Sequence, residues 1–339
     1  MNVMPFRTRP KPVWSAVLLL VALTGKSWAQ GCQTSSDMDP AVNTSITTAA
    51  QRYFDLAAKG DVASMRQQSI PSLASDFNEI ESAVKDYQKE LSAAQASVKA
   101  SFLLNAPEPT PNQRAEFYCG IWGKNGQTAG SAGFYFNNLA AGKYAIVLLD
   151  ATSGAGRTMF SPVLAQIGTD WKLGGLYIKS GHVAGHDGDW FHAQARDYKA
   201  KGQTRNAWIY FRESLDLASR GMNFMGTQAT DRLYDEVQSV QPSDLPADGK
   251  TADLVAGTAT YKLSSIYVWA IGNDLDLFVK RQVADISNTN QVYQENNAVM
   301  KALIAKYPEF RNAFAGVEVF AVDPSGRNYG TLLAMKDIK

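Results

Sequence analysis

Apolar residues along this chain recur first at helical and then at strand spacing, and the whole alternation happens twice. Ile46, Ala49, Ala50, Tyr53, Phe54 and Ala57 step by three and four, one face of a helix, and Lys59-Gly60-Asp61 closes that helix and caps the next. From Phe77 the steps run Phe77, Ile80, Val84, Tyr87, Leu91, Ala94 and Val98. This heptad-like seam predicts a helix of about 25 residues packed along another helix or a sheet. The three prolines of NAPEPTPN, 105–112, end it. The period then drops to two over 115–122, 131–137, 143–150 and 158–179, the last divided by a turn at Gly168-Thr169-Asp170. Gly123-Lys124-Asn125-Gly126, Ala141-Gly142 and Ser153-Gly154-Ala155-Gly156 separate these strands.

Helical spacing returns after 187 with Phe191, Ala195 and Tyr198, a turn at Lys201-Gly202-Gln203, and then Ala207, Phe211 and Leu215. Asp189 is placed to cap the first of these helices, and 228–240 predicts one more before the linker QPSDLPADG at 241–249. The chain ends with strand patterns at 258–271 and 275–285 around Gly272-Asn273-Asp274, then a helix carrying Tyr293, Val299, Met300, Leu303 and Ile304. A second hairpin, 316–322 and 329–335, turns at Asp323-Pro324-Ser325-Gly326. Hairpin, helix, hairpin predicts a four-stranded antiparallel sheet with one helix on one face, so the other face needs a cover. Helices and antiparallel sheets segregated in this way define the α+β class. The expected units are 41–180, a helical bridge over 187–240, and a small ββαββ domain over 250–339.

The leader changes the picture of where this fold works. Arg7, Arg9 and Lys11 precede the apolar run VWSAVLLLVAL and the small-residue site Ser27-Trp28-Ala29, the order of a secretory signal peptide over 1–29. The run is too short for a bilayer, which takes about 20 apolar residues, and no comparable stretch follows, so the mature chain is expected to have no transmembrane segment. Removing 1–29 deletes Arg7, Arg9, Lys11 and Lys26 and no acid, which turns the formal charge of +1 into −3. A near-neutral chain of this sort is no electrostatic partner for nucleic acid. Periplasmic or secreted residence is the expectation. Ala29-Gln30-Gly31-Cys32 loosely resembles a bacterial lipobox, so a lipoprotein acylated at Cys32 is the alternative. The two cysteines, Cys32 and Cys119, either pair as a disulfide in the oxidising compartment or stay apart, Cys32 lipidated or free and Cys119 buried and inert.

The stretch AAQRYFDLAAKGDVASMRQQSIP, 49–71, resembles the opening of NTF2-like domains, in which a first helix ending in Gly-Asp leads into a short second one. The resemblance covers the first domain and implies helices backed by a curved antiparallel sheet that enclose a pocket. Some members use that pocket as an active site, and many others use it to bind ligands or partners. By resemblance, Tyr118, Trp122, Tyr135 and Trp171 would line it; otherwise they are plain core. The acid-base pairs of the enzymatic members have no matching motif, so no catalytic residue is carried over. The spacing of Tyr198, Gly202, Ala207 and Phe211 resembles a single tetratricopeptide-type helical hairpin, which implies a packed helix pair between two domains.

Candidate chemistry is concentrated in GHVAGHDGDWFH, 181–192, which holds all three histidines of the chain. His182, His186, Asp187 and His192 carry the ligand types of zinc and other first-row metals, although the H-E-x-x-H pattern is lacking and three glycines favour a loop. No nucleotide, phosphate or cofactor motif appears, nor any Ser/His/Asp or Cys/His nucleophile arrangement. The expected function is therefore a non-enzymatic envelope or secreted module that binds a small apolar ligand or an envelope protein. The alternative is a metal-dependent hydrolase built on His182, His186 and His192.

Overall fold

A computed structural model describes residues 31–120, 127–128, 130–154, 156–247 and 249–339 of the chain. The leader, Trp122 and the turn after it lie outside these residues. The fold is α+β.

A short strand, β1 (Gly31–Thr34), leads into α1 (Pro40–Lys59). Asp39 caps α1 by accepting from the amides of Ala41 and Val42, and Pro40 supplies a preset first turn. The helix ends at Gly60, whose φ of 69° is the left-handed value that a glycine adopts without steric cost. Its buried face is Ile46, Ala49, Ala50, Tyr53, Phe54 and Ala57. Two short helices, α2 (Val62–Gln67) and α3 (Pro71–Ser75), precede α4 (Asn78–Ser92).

The predicted 25-residue helix ends here instead of running on through Val98. After Ala93 the chain extends as β2 (Gln95–Ala106), which pairs along β5 (Gly142–Ser153) with a bulge between Val98 and Ala100. Phe102, Leu104 and Ala106 alternate inward from that pairing, while Val98, the last step of the seam, is exposed. Period-two burial supported by a full strand partner outweighs a periodicity that both helix and strand can satisfy for a few residues.

The remaining strands of this half are β3 (Arg114–Cys119), β4 (Ala132–Asn137), β6 (Gly156–Ile167) and β7 (Asp170–Ser180). β1, β2, β5, β6 and β7 form one antiparallel sheet in that order, while β3 and β4 pair in a separate small sheet. One face, with Val147, Leu149, Phe160 and Leu173, packs on α1 and α4. The other face, with Phe102, Leu104 and Ile146, packs on Phe117 and Phe134 of β3 and β4. A disulfide between Cys32 and Cys119, Cα atoms 4.8 Å apart, joins β1 to β3 across the two layers. The 87-residue separation makes it worth about 4 to 5 kcal/mol in the chain-entropy account.

After two-residue strands β8 (His182–Val183) and β9 (His186–Asp187), the bridge consists of α5 (Gly188–Ala200), α6 (Thr204–Ala218), β10 (Met225–Thr227) and α7 (Gln228–Ser239). The bridge is therefore not helix alone. β10 adds to β4 in the second small sheet, Met225 opposite Phe134, and so stitches the bridge to the first domain. Towards the other domain, Tyr198 and Tyr210 donate their hydroxyls to the carbonyls of Asn312 and Ala313.

The last domain is β11 (Ala252–Ala256), β12 (Ala259–Ile271), β13 (Asp274–Gln282), α8 (Thr289–Lys306), β14 (Gly316–Val322) and β15 (Asn328–Ala334), with the sheet in that strand order. It has five strands, not four, because Ala252–Ala256 pairs along β12 in the segment after the linker. Nor is it wholly antiparallel: β13 and β14 run parallel, since α8 lies between them and a helical crossover returns the chain to the same end of the sheet. Leu277, Val279, Val317 and Val319 face α8 and share one core with Trp208 and Phe211 of α6. Tyr267, Phe278 and Phe320 stack on the opposite face, with ring centroids 4.6 and 4.8 Å apart.

Candidate functional site

The histidine-rich stretch folds as a hairpin running into a helix, and it sends its side chains in different directions. β8 and β9 pair His182 with Asp187 and Val183 with His186, and the chain turns through Ala184 and Gly185, both at positive φ as a two-residue hairpin of this kind requires. His182 lies over Gly156, where an added Cβ would fall 2.5 Å from the imidazole, and its Nδ1 is 3.2 Å from the Ser180 hydroxyl. His186 stacks on Trp190 at 3.6 Å. His192 Nε2 meets Glu236 at 2.7 Å, and Arg196 donates to the other oxygen of that carboxylate. Burial works against the charge on Glu236, but the hydrogen bonds from Arg196 and His192 outweigh it and hold the carboxyl below its usual range. Asp187, not Asp189, caps α5, accepting from the Trp190 amide at 2.9 Å; Asp189 falls in the first turn instead. Among the described residues no three His, Cys, Asp or Glu side chains gather to hold a metal ion.

The aromatic candidates also separate. Tyr118 and Tyr135 meet edge to face at 6.2 Å on β3 and β4, with Arg114 over the Tyr135 ring. The Tyr118 hydroxyl donates to Glu116, and this bond, followed by burial, pushes its pKa up to about 12. Trp171 lies in the helix-facing core on the far side of the five-stranded sheet. Trp122 is outside the described residues.

What the structure does assemble is a cleft of about 1120 Å³ where the three parts of the molecule meet. α6 forms one wall with Ile209, Glu213 and Leu217, and the β12–β13 hairpin forms another with Val268 and Trp269. Tyr234 of α7, Met222 and Met225 of the intervening loop and strand, and Tyr87 and Lys179 from the first domain complete it. Trp269 and Tyr234 are 47% and 55% exposed, so large apolar rings stand at the rim with nothing covering them. The volume lies just above the range for sites that enclose a drug-sized molecule, about 300 to 1,000 Å³.

Most of the charged groups on these walls already have a polar partner within the protein. Lys179 pairs with Asp216, and its ammonium also donates to the Asp216 carbonyl. Arg212 donates to the Ile266 carbonyl and lies 4.5 Å over the Trp208 ring. Asp231 accepts from Gln127 at 2.7 Å. Glu213 has no partner among the described residues. Burial, and then Asp216, push its carboxyl up to about 7, against the pull of Lys179 and Arg212.

Sequence reasoning missed Glu213. A signal existed: Ile209, Glu213 and Leu217 occupy i, i+4 and i+8 of one helix, which sets a carboxylate in an apolar stripe. Trp269 and Tyr234 carried no comparable signal, because each is ordinary for its strand or helix.

No known family model matches this chain, and no curated protein or solved structure matches it either.

Proposed function

We propose that this chain is an exported, non-enzymatic binding module that takes a small apolar ligand in the junction cleft. The observation that carries the reading is the cleft itself, walled by aliphatic side chains and open to solvent beside uncovered Trp269 and Tyr234. Uncovered aromatic rings at the mouth of a concavity that is mainly apolar, with a few polar groups on its walls, are the usual makings of a small-molecule site. The leader pattern supports export, and so does the Cys32–Cys119 bond, which belongs to an oxidising compartment such as the periplasm or the medium. That bond also occupies the sulfur that acylation of Cys32 would need, so we read the mature chain as cleaved and untethered. We read the first domain as NTF2-like, on the helix ending at Gly60-Asp61 and the antiparallel sheet that follows. The helix pair α5–α6 is read as one tetratricopeptide-like hairpin.

The test is a fluorescence titration of the mature, oxidised protein with an environment-sensitive apolar dye. Saturable binding of about one dye per chain is expected, weakened at least tenfold by Trp269→Ala and unchanged by Leu332→Ala, a replacement of an apolar residue exposed outside the cleft. Equal weakening by both variants would assign the dye to general surface stickiness and remove the basis for the reading.

A further inference from the structure

We propose that the junction cleft selects ligands that carry one positive charge on an apolar body, the charge pairing with the Glu213 carboxylate. The proposal rests on the binding reading above and narrows it to a ligand class.

Six ionisable groups of the lysine, arginine, histidine and carboxylate types line the cleft: Lys179 from β7, His182 from β8, Arg212, Glu213 and Asp216 from α6, and Asp231 from α7. Five of them are engaged with other groups of the protein. Lys179 and Asp216 neutralise each other, His182 is held by Ser180, Arg212 by the Ile266 carbonyl, and Asp231 by Gln127. Glu213 alone faces the cavity without a hydrogen bond or ion pair among the described residues, on the same helical stripe as Ile209 and Leu217. The lining also holds the phenols of Tyr87, Tyr234 and Tyr267, and burial raises the pKa of the last.

A half-buried carboxylate with no partner is costly in its charged form, and the cost appears as a raised pKa. A ligand cation supplies the missing counter-charge. An anionic head group would instead meet Glu213, with Lys179 already paired to Asp216 and Arg212 bonded to the Ile266 carbonyl. The remaining walls, Met222, Val268 and Leu217, suit a hydrocarbon body, and the exposed rings at the rim tolerate a cation passing over them. One open carboxylate implies one charge.

A cation bound in this way favours the ionised carboxylate, so its affinity falls as pH drops below about 7, by up to tenfold per unit. His182 also lines the cleft, so only a change at Glu213 assigns the pH dependence to that carboxylate.

The experiment uses the mature, oxidised chain and three probes of equal chain length below their micellar concentrations: decyltrimethylammonium, decanol and decyl sulfate. Affinities are measured calorimetrically from pH 5 to pH 8. The quaternary ammonium does not titrate, so any pH dependence comes from the protein. Decyltrimethylammonium is expected to bind at least tenfold tighter than decanol at pH 8 and to lose most of that margin by pH 5. Glu213→Gln should abolish the margin while decanol binds as before, and Glu213→Asp should restore part of it. Equal affinity for all three probes, or the tightest binding by decyl sulfate, overturns the charge assignment and leaves the apolar-cleft reading standing. Failure of all three to bind overturns both. Should Glu213→Gln not fold, the unaltered chain still decides: an ammonium affinity that is flat from pH 5 to pH 8 overturns the proposal.

Discussion

Glu213 on α6 and Arg220 in the turn just after it are two charged side chains on one short segment, and they have opposite surroundings. Arg220 is 8% exposed, and its guanidinium reaches into the first domain to the Asp150 carboxylate at 2.7 Å, the Leu149 carbonyl and the Ser161 hydroxyl. Asp150 is also approached by Arg157 at 3.4 Å. Each of the three guanidinium nitrogens of Arg220 donates to an acceptor, and its backbone sits at φ 57°, a left-handed value that costs a non-glycine residue something to hold. Glu213 has no hydrogen-bond donor among the described residues and lines the cleft. The contrast separates two uses of a buried charge. A fully matched one fastens parts of the fold together, whereas an unmatched one at a concave surface is completed by something from outside.

The comparison can be broken or sharpened by substitution. The largest expected effect is at Arg220. Arg220→Met leaves Asp150 buried with only the longer contact to the half-exposed Arg157, and is expected to cost about 3 to 5 kcal/mol in urea unfolding. Arg220→Lys keeps the charge but not the fork of donors and should fall between the two. A loss below about 1 kcal/mol for Arg220→Met would mean that this ion pair does not fasten the bridge to the first sheet.

The next effect is smaller and depends on pH. The folded pKa of Glu213, about 7, lies above its ordinary value of 4.5. The folded state therefore holds this proton more tightly than the unfolded state does. The associated stability is fully present below about 4.5 and is lost as pH rises through about 7. Glu213→Gln removes the penalty on the ionised form. It should stabilise the protein by on the order of 1 to 3 kcal/mol at pH 8 and by nothing at pH 4.5, measured as paired unfolding curves at the two pH values. The same gain at both pH values would show that its source is packing and not the charge.

The smallest effect separates two neighbouring aspartates. Asp187→Ala should cost about 1 kcal/mol through loss of the α5 cap, and Asp189→Ala less than about 0.5 kcal/mol, both read as shifts in thermal midpoint. A reversed order would move the cap back to Asp189, where the sequence pattern placed it.

Much of the architecture was legible from spacing alone. All six residues assigned to the inner face of α1 are buried, and the turn residues after Gly168 and Gly272 fall between the strands they were expected to join. These features depend on neighbours three, four or two positions away, so a local period carries them. The end of α4 was not legible in the same way. Ala94 and Val98 continue a helical spacing, and only a partner strand some 50 residues further on turns that stretch into β2.

Other features lie wholly beyond a linear reading. The histidines are neighbours in the chain, yet hairpin alternation and helix rotation send His182, His186 and His192 to Ser180, Trp190 and Glu236. The cleft gathers Tyr87, Lys179, Glu213, Tyr234 and Trp269 from five separate elements, and no window of sequence contains more than one of them.

The sequence by itself determined the α+β class, most of the helical and strand-forming stretches and the inner face of α1, because each follows from residues close enough in the chain to share one turn or one pleat. Tertiary structure alone decided that Cys32 meets Cys119, that β13 runs parallel to β14, that β10 leaves the bridge to join β4, and that Glu213 faces a cavity with no partner among the described residues. Local pattern specifies which face of an element must be buried. What buries it, and which polar group is left unmatched, is settled only when distant segments compete for the same surface.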